Sequence, residues 1–565
     1  MTTNIRPPSP SADLDDVLAG DEQAVLTKSI ISSDTGENVD VAGLDDTLAG
    51  TEDAIIARAV IAGDTGPNAQ VSNLQALRVM PPQEMRTAFG EAIMAEPNPE
   101  IQIKFQYGVN DLEVEVHENN LGTVTNGNSM LVCSSGAAAD SEGSFHTRDI
   151  ISYKPGQGVN ARFTGVFTTG VAGNIQAAGI GSYSEGFYFG YNGTSFGLRH
   201  KHGGTIEVRT LTVTTASTTA ENITITLDGD ADATVAVTNT GDVTLTANEI
   251  AAHDFSSLGP GWHGTAFGDT VVFIAWADGA RTGTYSLSGA TTAVGGFAQT
   301  VAGVTSTDTW VPQASWNGDD KFDGAGVTGV TLDPTKGNVF QIKFQFLGFG
   351  AIEYFVEDPN DGELHLVHTI AYANANTVPS LNNPSFPLRV ESINTTNTTD
   401  IAVSTASMAA FVEGKHSFAG LRAGFKADTT LASAAETPVL TVGVKLTQNA
   451  VVNQTKMKMF LASAAVDHTK PVTLNFYRNV TLTGASFTDY DTDSGLHSDI
   501  AATAFTGGTF LFALPLGKAG NAIINLPEAV IAADASPGDT ITVTADPVSG
   551  TNADVIVAFY VIELA

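Results

Sequence analysis

Arg162-Phe-Thr-Gly-Val-Phe167, Gly186-Phe-Tyr-Phe-Gly-Tyr191 and Ser195-Phe-Gly-Leu-Arg199 lie within Arg148–Gly204, the most regular and most aromatic run of the chain. Large apolar residues alternate there with small or polar ones, the period of a strand with one buried face. Asn192-Gly193 separates the last two runs. Asn-Gly between two period-two segments predicts a tight hairpin, because both turn residues must accept positive φ. A sheet face carrying Phe187, Phe189 and Tyr191 needs a second layer. The best candidate is Asn338–Val390, where Phe340-Gln-Ile-Lys-Phe-Gln-Phe346 and Ala351-Ile-Glu-Tyr-Phe-Val-Glu357 alternate in the same way. The expectation is one β-sandwich, interrupted in sequence.

Working outward, 565 residues should hold several domains. The 57 glycines, abundant Thr, Val and Ala, and few charged residues favour strands and turns over long helices, so the fold class is mainly β. A net charge of −35 with only 26 Lys plus Arg argues against nucleic-acid binding, which needs a basic patch. It suits a particle surface that should not stick to nucleic acid or anionic membrane. A single cysteine, Cys133, excludes an intrachain disulfide and a thiolate zinc site. The opening Met1-Thr-Thr-Asn-Ile-Arg-Pro-Pro-Ser-Pro10 lacks an apolar signal region, and no apolar run reaches the roughly 18 residues of a membrane helix. Synthesis in the cytoplasm without membrane insertion is expected.

Leu14–Gly36 is repeated as Leu44–Gly66, a period of 30 residues, each copy with a short strand (24–32, then 54–62) and an Asp-Thr-Gly turn. Such a unit cannot bury its own apolar face and should stack on its neighbour, on symmetry mates or on another protein. Residues 1–80 are therefore assigned to docking and oligomerisation, 81–206 and 313–420 to two halves of the sandwich, and 421–565 to a C-terminal β-sandwich whose last strand ends the chain. Residues 207–312 are assigned to an inserted α+β module, with a hairpin turn at Asp228-Gly229 and a capping box Thr246-Ala-Asn-Glu249 opening a short helix. Its two ends should lie close together.

The motifs do not identify a reaction. Gly193-Thr-Ser195-Phe-Gly197 matches a nucleophile elbow, but a strand follows where a helix is required. Asp228-Gly-Asp230-Ala-Asp232 begins like a calcium loop, yet Ala233 and Asn239 stand where Gly and Glu are needed. His200 and His202 should share a strand face and His365 and His368 should not; neither pair has an evident third ligand. Of the tryptophans, Trp276 reads as core, while Trp310 and Trp316 flank a turn where exposure is open. No catalytic, cofactor or metal residue is assigned, and the ligand-binding residues are unknown.

Trp310-Val-Pro-Gln-Ala-Ser-Trp-Asn-Gly-Asp319, Leu332-Asp-Pro-Thr-Lys-Gly-Asn-Val-Phe340 and Leu366-Val-His-Thr-Ile370 with Tyr372-Ala-Asn-Ala-Asn-Thr377 resemble a family of structural proteins of tailed bacteriophages and large aquatic viruses. Lys28–Gly36 and Arg58–Gly66 look like short N-terminal units of phage virion and tail proteins. Phe344–Ile370, with its Asp358-Pro-Asn-Asp-Gly362 turn, is also similar to concanavalin-like lectin sandwiches. The resemblance implies a virion protein made in the host cytoplasm. It implies a homo-oligomer, trimer or hexamer, docked to other virion proteins through residues 1–80, that acts as a tail fibre or spike and attaches to a host-surface glycan. The alternatives are a passive capsid-decorating, tail or baseplate piece, and a glycan-degrading spike enzyme.

Overall fold

Alternation in the aromatic run resolves into two layers. Asn174–Gly181, Gly186–Asn192 and Ser195–His202 are neighbours in a seven-stranded antiparallel sheet, which continues through Thr307–Pro312 on one side and through Leu388–Asn394, Ser141–Thr147 and Val114–Asn119 on the other. Val159–Phe167 joins the facing nine-stranded sheet, between Asn338–Phe344 and Ala402–Thr405. Phe189 and Phe187 meet Phe340 and Phe344 across the interior, with ring centroids 4.6 and 5.1 Å apart. The second layer expected from Asn338 onward is thus present, although Leu388–Asn394 pairs into the first sheet. The structure is a computed structural model that describes residues 99–565 apart from 260, 414–419, 433, 468, 527–532, 550–551 and 565. The N-terminal repeats lie outside the described residues.

The hairpin after Gly186–Asn192 turns one residue later than the Asn-Gly signal predicts. Asn192 pairs with Ser195, and of the two loop residues only Gly193 has positive φ (+59°). Glycine at the first loop position is the type II′ pattern, whose twist suits the flanking strands as well as type I′ does.

Ser195–His202 and Thr307–Pro312 pair directly, and Thr205 exchanges two 2.8 Å backbone hydrogen bonds with Val304. The chain therefore leaves and re-enters the sheet at adjacent points. Between them stands an α+β module with a four-stranded sheet (Trp262–Phe267, Thr270–Asp278, Ile206–Thr215, Val294–Val301), a three-stranded sheet (Asp230–Val237, Glu221–Leu227, Ser286–Ser288) and the helix Val243–Ala251. Leu211, Ile225, Ile250 and Phe273 belong to its separate core.

The helix starts earlier than the capping box suggests. Asp242 is the N-cap, its side chain accepting from the Thr244 and Leu245 N–H groups at 2.7 and 3.1 Å. Its carboxylate satisfies two orphan donors and places negative charge at the positive helix end. Thr246 lies one turn inside, its hydroxyl donating to the Asp242 carbonyl (2.9 Å), and Glu249 instead accepts from the Thr238 N–H (2.8 Å).

The C-terminal sandwich opposes a five-stranded sheet containing Leu421–Leu431, Lys456–Asp467 and Ala553–Leu564 to a six-stranded sheet containing Thr437–Val444, Val472–Arg478 and Thr540–Pro547. Phe425, Leu474, Phe476, Val543 and Phe559 fill its core. The architecture is mainly β: antiparallel sandwiches with a small α+β insertion. Among the described residues, no helix is long and apolar enough to cross a membrane.

Candidate functional site

The seven-stranded sheet has one apolar and one polar face. Phe145, Phe187, Phe189 and Val390 point into the sandwich. The residues between them face away, and register aligns one row across all seven strands: Glu115, His146, Arg389, Gly179, Tyr188, Arg199, Trp310. Arg199 is held between Asp308 and Glu391, and Arg389 between Glu391 and Glu142, so five charges alternate in sign. Both arginines are about 3% exposed or less. Burial pushes the Glu391 carboxyl up, but Arg389 and Arg199 outweigh it and hold it down near 2. Tyr183 lies over the Arg389 guanidinium, 3.9 Å from ring centroid to Cζ. These buried ion pairs fix the face, with Arg389 Nη1 left without a hydrogen-bond partner.

At its Glu115 end the face opens into a cleft of about 510 Å³ where sandwich, inserted module and C-terminal domain meet. The sandwich contributes Glu115, His146, Arg148 and Tyr183, the module His263 and Trp276, and the C-terminal domain Asn453, Asn479 and Asp539. Trp276 lies parallel to Tyr183 (6.4 Å, 9°) and to His263 (6.2 Å, 16°), making a line of three rings from two modules. Glu115 stands 3.7 Å from His146 Nε2, 3.9 Å from His263 Nδ1 and 3.6 Å from an Arg148 nitrogen. Burial raises the Glu115 carboxyl, but His263, His146 and Arg148 together pull it below its usual range. Burial pushes His146 down to about 4, so the ring is neutral near pH 7, with Nδ1 3.3 Å from the Tyr183 hydroxyl. The cleft thus combines aromatic surface with an ionised acceptor, the neutral His146 ring, the His263 imidazole and amides.

Trp276, read from the sequence as core, is 9% exposed and backs the cleft; the other residues singled out as candidates lie elsewhere. Ser195 opens a strand, so no strand-to-helix elbow forms there. Asp228 accepts from the Gly283 N–H, and Asp232 is taken up by Thr234 and His253. His200 and His202 do stack on one another (4.4 Å), and His200 Nε2 lies 2.9 Å from the Ser380 carbonyl oxygen. Trp316 is buried edge-on against Phe189 (6.1 Å), while Trp310 is half-buried beside Arg199. The sequence did not join Asp358, Asp361 and His365, which bring one ligand atom each within 4.8 Å of one another. Each carboxylate uses one oxygen on a backbone N–H of its own turn, at 2.8 Å. Two carboxylates with one imidazole are the donor set of a zinc-like divalent metal; calcium, which takes oxygen ligands, could use only the two carboxylates. The turn and the histidine were separately visible, and only the antiparallel return of the strand joins them.

No protein-family model matches the chain, and no curated protein does. Among solved structures, it is similar to arcelin-5, a lectin-like defense protein from Phaseolus vulgaris, with 8% identity and a TM-score of 0.22 over 56% of this chain and 99% of that one. It is similar to the CBM22 tandem domain of Paenibacillus barcinonensis Xyn10C, with 8% identity and a TM-score of 0.16 over 83% and 99% of the two chains. A triple-jelly-roll turret protein of an archaeal virus gives 8% identity and a TM-score of 0.15 over 84% and 97%.

Proposed function

We propose that this protein is a structural component of a virus particle that attaches to a host-surface glycan through the cleft at the junction of its modules. The lining of that cleft carries the reading. His263, exposed on the rim, and Tyr183 offer ring surface to the apolar face of a sugar, with the buried Trp276 stacked between them. Glu115 offers an acceptor, and Asn453 and Asn479, each already bonded once through nitrogen and once through oxygen, offer their second N–H to its hydroxyls. Amides and imidazoles outnumber carboxylates and cations in the cleft lining, which suits a neutral saccharide. Single-site binding of this kind is weak, and several copies on one particle would supply avidity. The 30-residue repeats, too short to bury their own apolar faces, support an oligomer docked through residues 1–80. Glu115, held low, does not suit the general-acid role that a glycoside hydrolase requires of one carboxyl.

Glycan-array binding by the full chain tests this. His263 is 46% exposed on the cleft rim, so His263→Ala should leave the thermal midpoint unchanged. It should weaken binding to neutral glycans about tenfold, the loss of one or two hydrogen bonds. Absence of glycan binding, or a variant that binds as well as the parent, would contradict the reading.

A further inference from the structure

The inserted module meets each of its neighbours through an aromatic ring set against a buried histidine. On the sandwich side His117 is fully buried, and Trp276 of the module stands edge-on to it, centroids 3.7 Å apart and planes at 89°. Gly261 of the module presses so closely that a Cβ there would come within 2.8 Å of His117 Cε1. Neither ring nitrogen of His117 has a hydrogen-bond partner. On the other side His497 is 5% exposed, its Nε2 also lacks a partner, and its ring lies 4.6 Å from the module's Phe267 and 4.5 Å from Phe487 of its own domain. A neutral imidazole tolerates such a contact. An imidazolium brings a charge and two donors that the contact cannot satisfy.

We propose that the inserted module is released by acid: it docks on the sandwich and on the C-terminal domain while His117 and His497 are uncharged, and comes away when they take up protons. This concerns docking and stands whether or not the cleft takes a sugar. Because the module supplies His263 and Trp276, its release would also open the cleft. The Thr205–Val304 bonds and the Lys201–Asp278 ion pair (2.8 Å) remain as a tether at its base.

The groups facing each histidine decide the sign. Around His117 stand Glu142 (3.8 Å), Arg389, Glu391, His146 and Tyr183 from the sandwich; the module presents Trp276 and Gly261, with His263 turned to Glu115. Glu142 is already engaged by Arg389 and Ser144, and burial raises its own carboxyl, so it does not stand free to neutralise an imidazolium. Around His497 stand Lys445, itself paired with Asp489, and Asp269 on the rim of the same gap. Burial and then Arg389 push His117 down to about 2, and burial and then Lys445 push His497 down to about 3. A histidine depressed in the docked state favours docking above its free value of about 6.5 and loses that contribution as pH falls, by about tenfold per pH unit. Two histidines together give about a hundredfold per unit below pH ~6.5.

Hydroxyl-radical footprinting of the full chain from pH 7.5 to 4.5 tests the proposal, read residue by residue. Oxidation of Trp276, Phe267 and Phe487 should rise several-fold in a transition below pH ~6.5 with a steepness of about two protons, while Phe189 and Phe340 stay protected. In His117→Gln and in His497→Gln the steepness should fall to about one proton. A flat profile, a rise that includes Phe189 and Phe340, or unchanged steepness in both variants would overturn it.

Discussion

Arg389 is the residue on which the polar sheet face depends. It is 2% exposed and bridges Glu142 and Glu391, and Glu391 in turn holds Arg199. Arg389→Met keeps the bulk of the side chain but takes the cation from Glu142 and leaves Glu391 with Arg199 alone. Breaking one partner out of a buried network typically costs about 3–5 kcal/mol. Denaturant unfolding should show a loss of that order, and a loss below about 1 kcal/mol would mean the network contributes little. Arg389 and Glu391 sit two residues apart in the sequence, so their shared face was legible. Their partners Glu142, Arg199 and Asp308 come from distant strands, which no local pattern could bring together. Cys133 was legible in part: its solitude is in the sequence, its complete burial only in the fold.

At the scale of elements, the helix Val243–Ala251 shows why boundaries are harder to read than existence. Both Asp242 and Thr246 are good N-cap residues, and the Glu249 spacing favours Thr246. Val243 and Leu245 precede the box, however, and Thr244, Ala247 and Ile250 are buried on the helix, so packing starts the helix one turn earlier. Asp242→Ala should cost about 1 kcal/mol in thermal or denaturant unfolding through loss of the cap. No measurable loss would place the start at Thr246 after all. The strands were more legible, because alternation of Phe, Tyr, Ile and Val with Gly and polar residues fixes which face is buried. The sheet to which each strand belongs was less so: Val159–Phe167 and Leu388–Asn394 exchange layers relative to their sequence neighbours. Either layer would bury the same residues, so alternation alone cannot choose.

For the whole molecule, separate cores form in the sandwich, the inserted module and the C-terminal domain. The cleft exists only because the three meet. Sequence reasoning reached the sandwich, its insertion and the C-terminal sheets because each buries a continuous apolar pattern. It did not reach the cleft, whose residues looked like ordinary strand and turn positions: Glu115 and His146 in short strands, Trp276 in an apolar one, Asn479 and Asp539 in turns. The acid-release proposal belongs to this scale as well, since His117 and His497 become special only through what docks on them. The central claim, attachment at the surface of a virus particle, is tested most directly by imaging intact particles labelled with antibody against residues 205–310. Label at the distal tips of projecting fibres or spikes is the predicted result; label spread over the capsid or along the tail, or absent from particles, would contradict it.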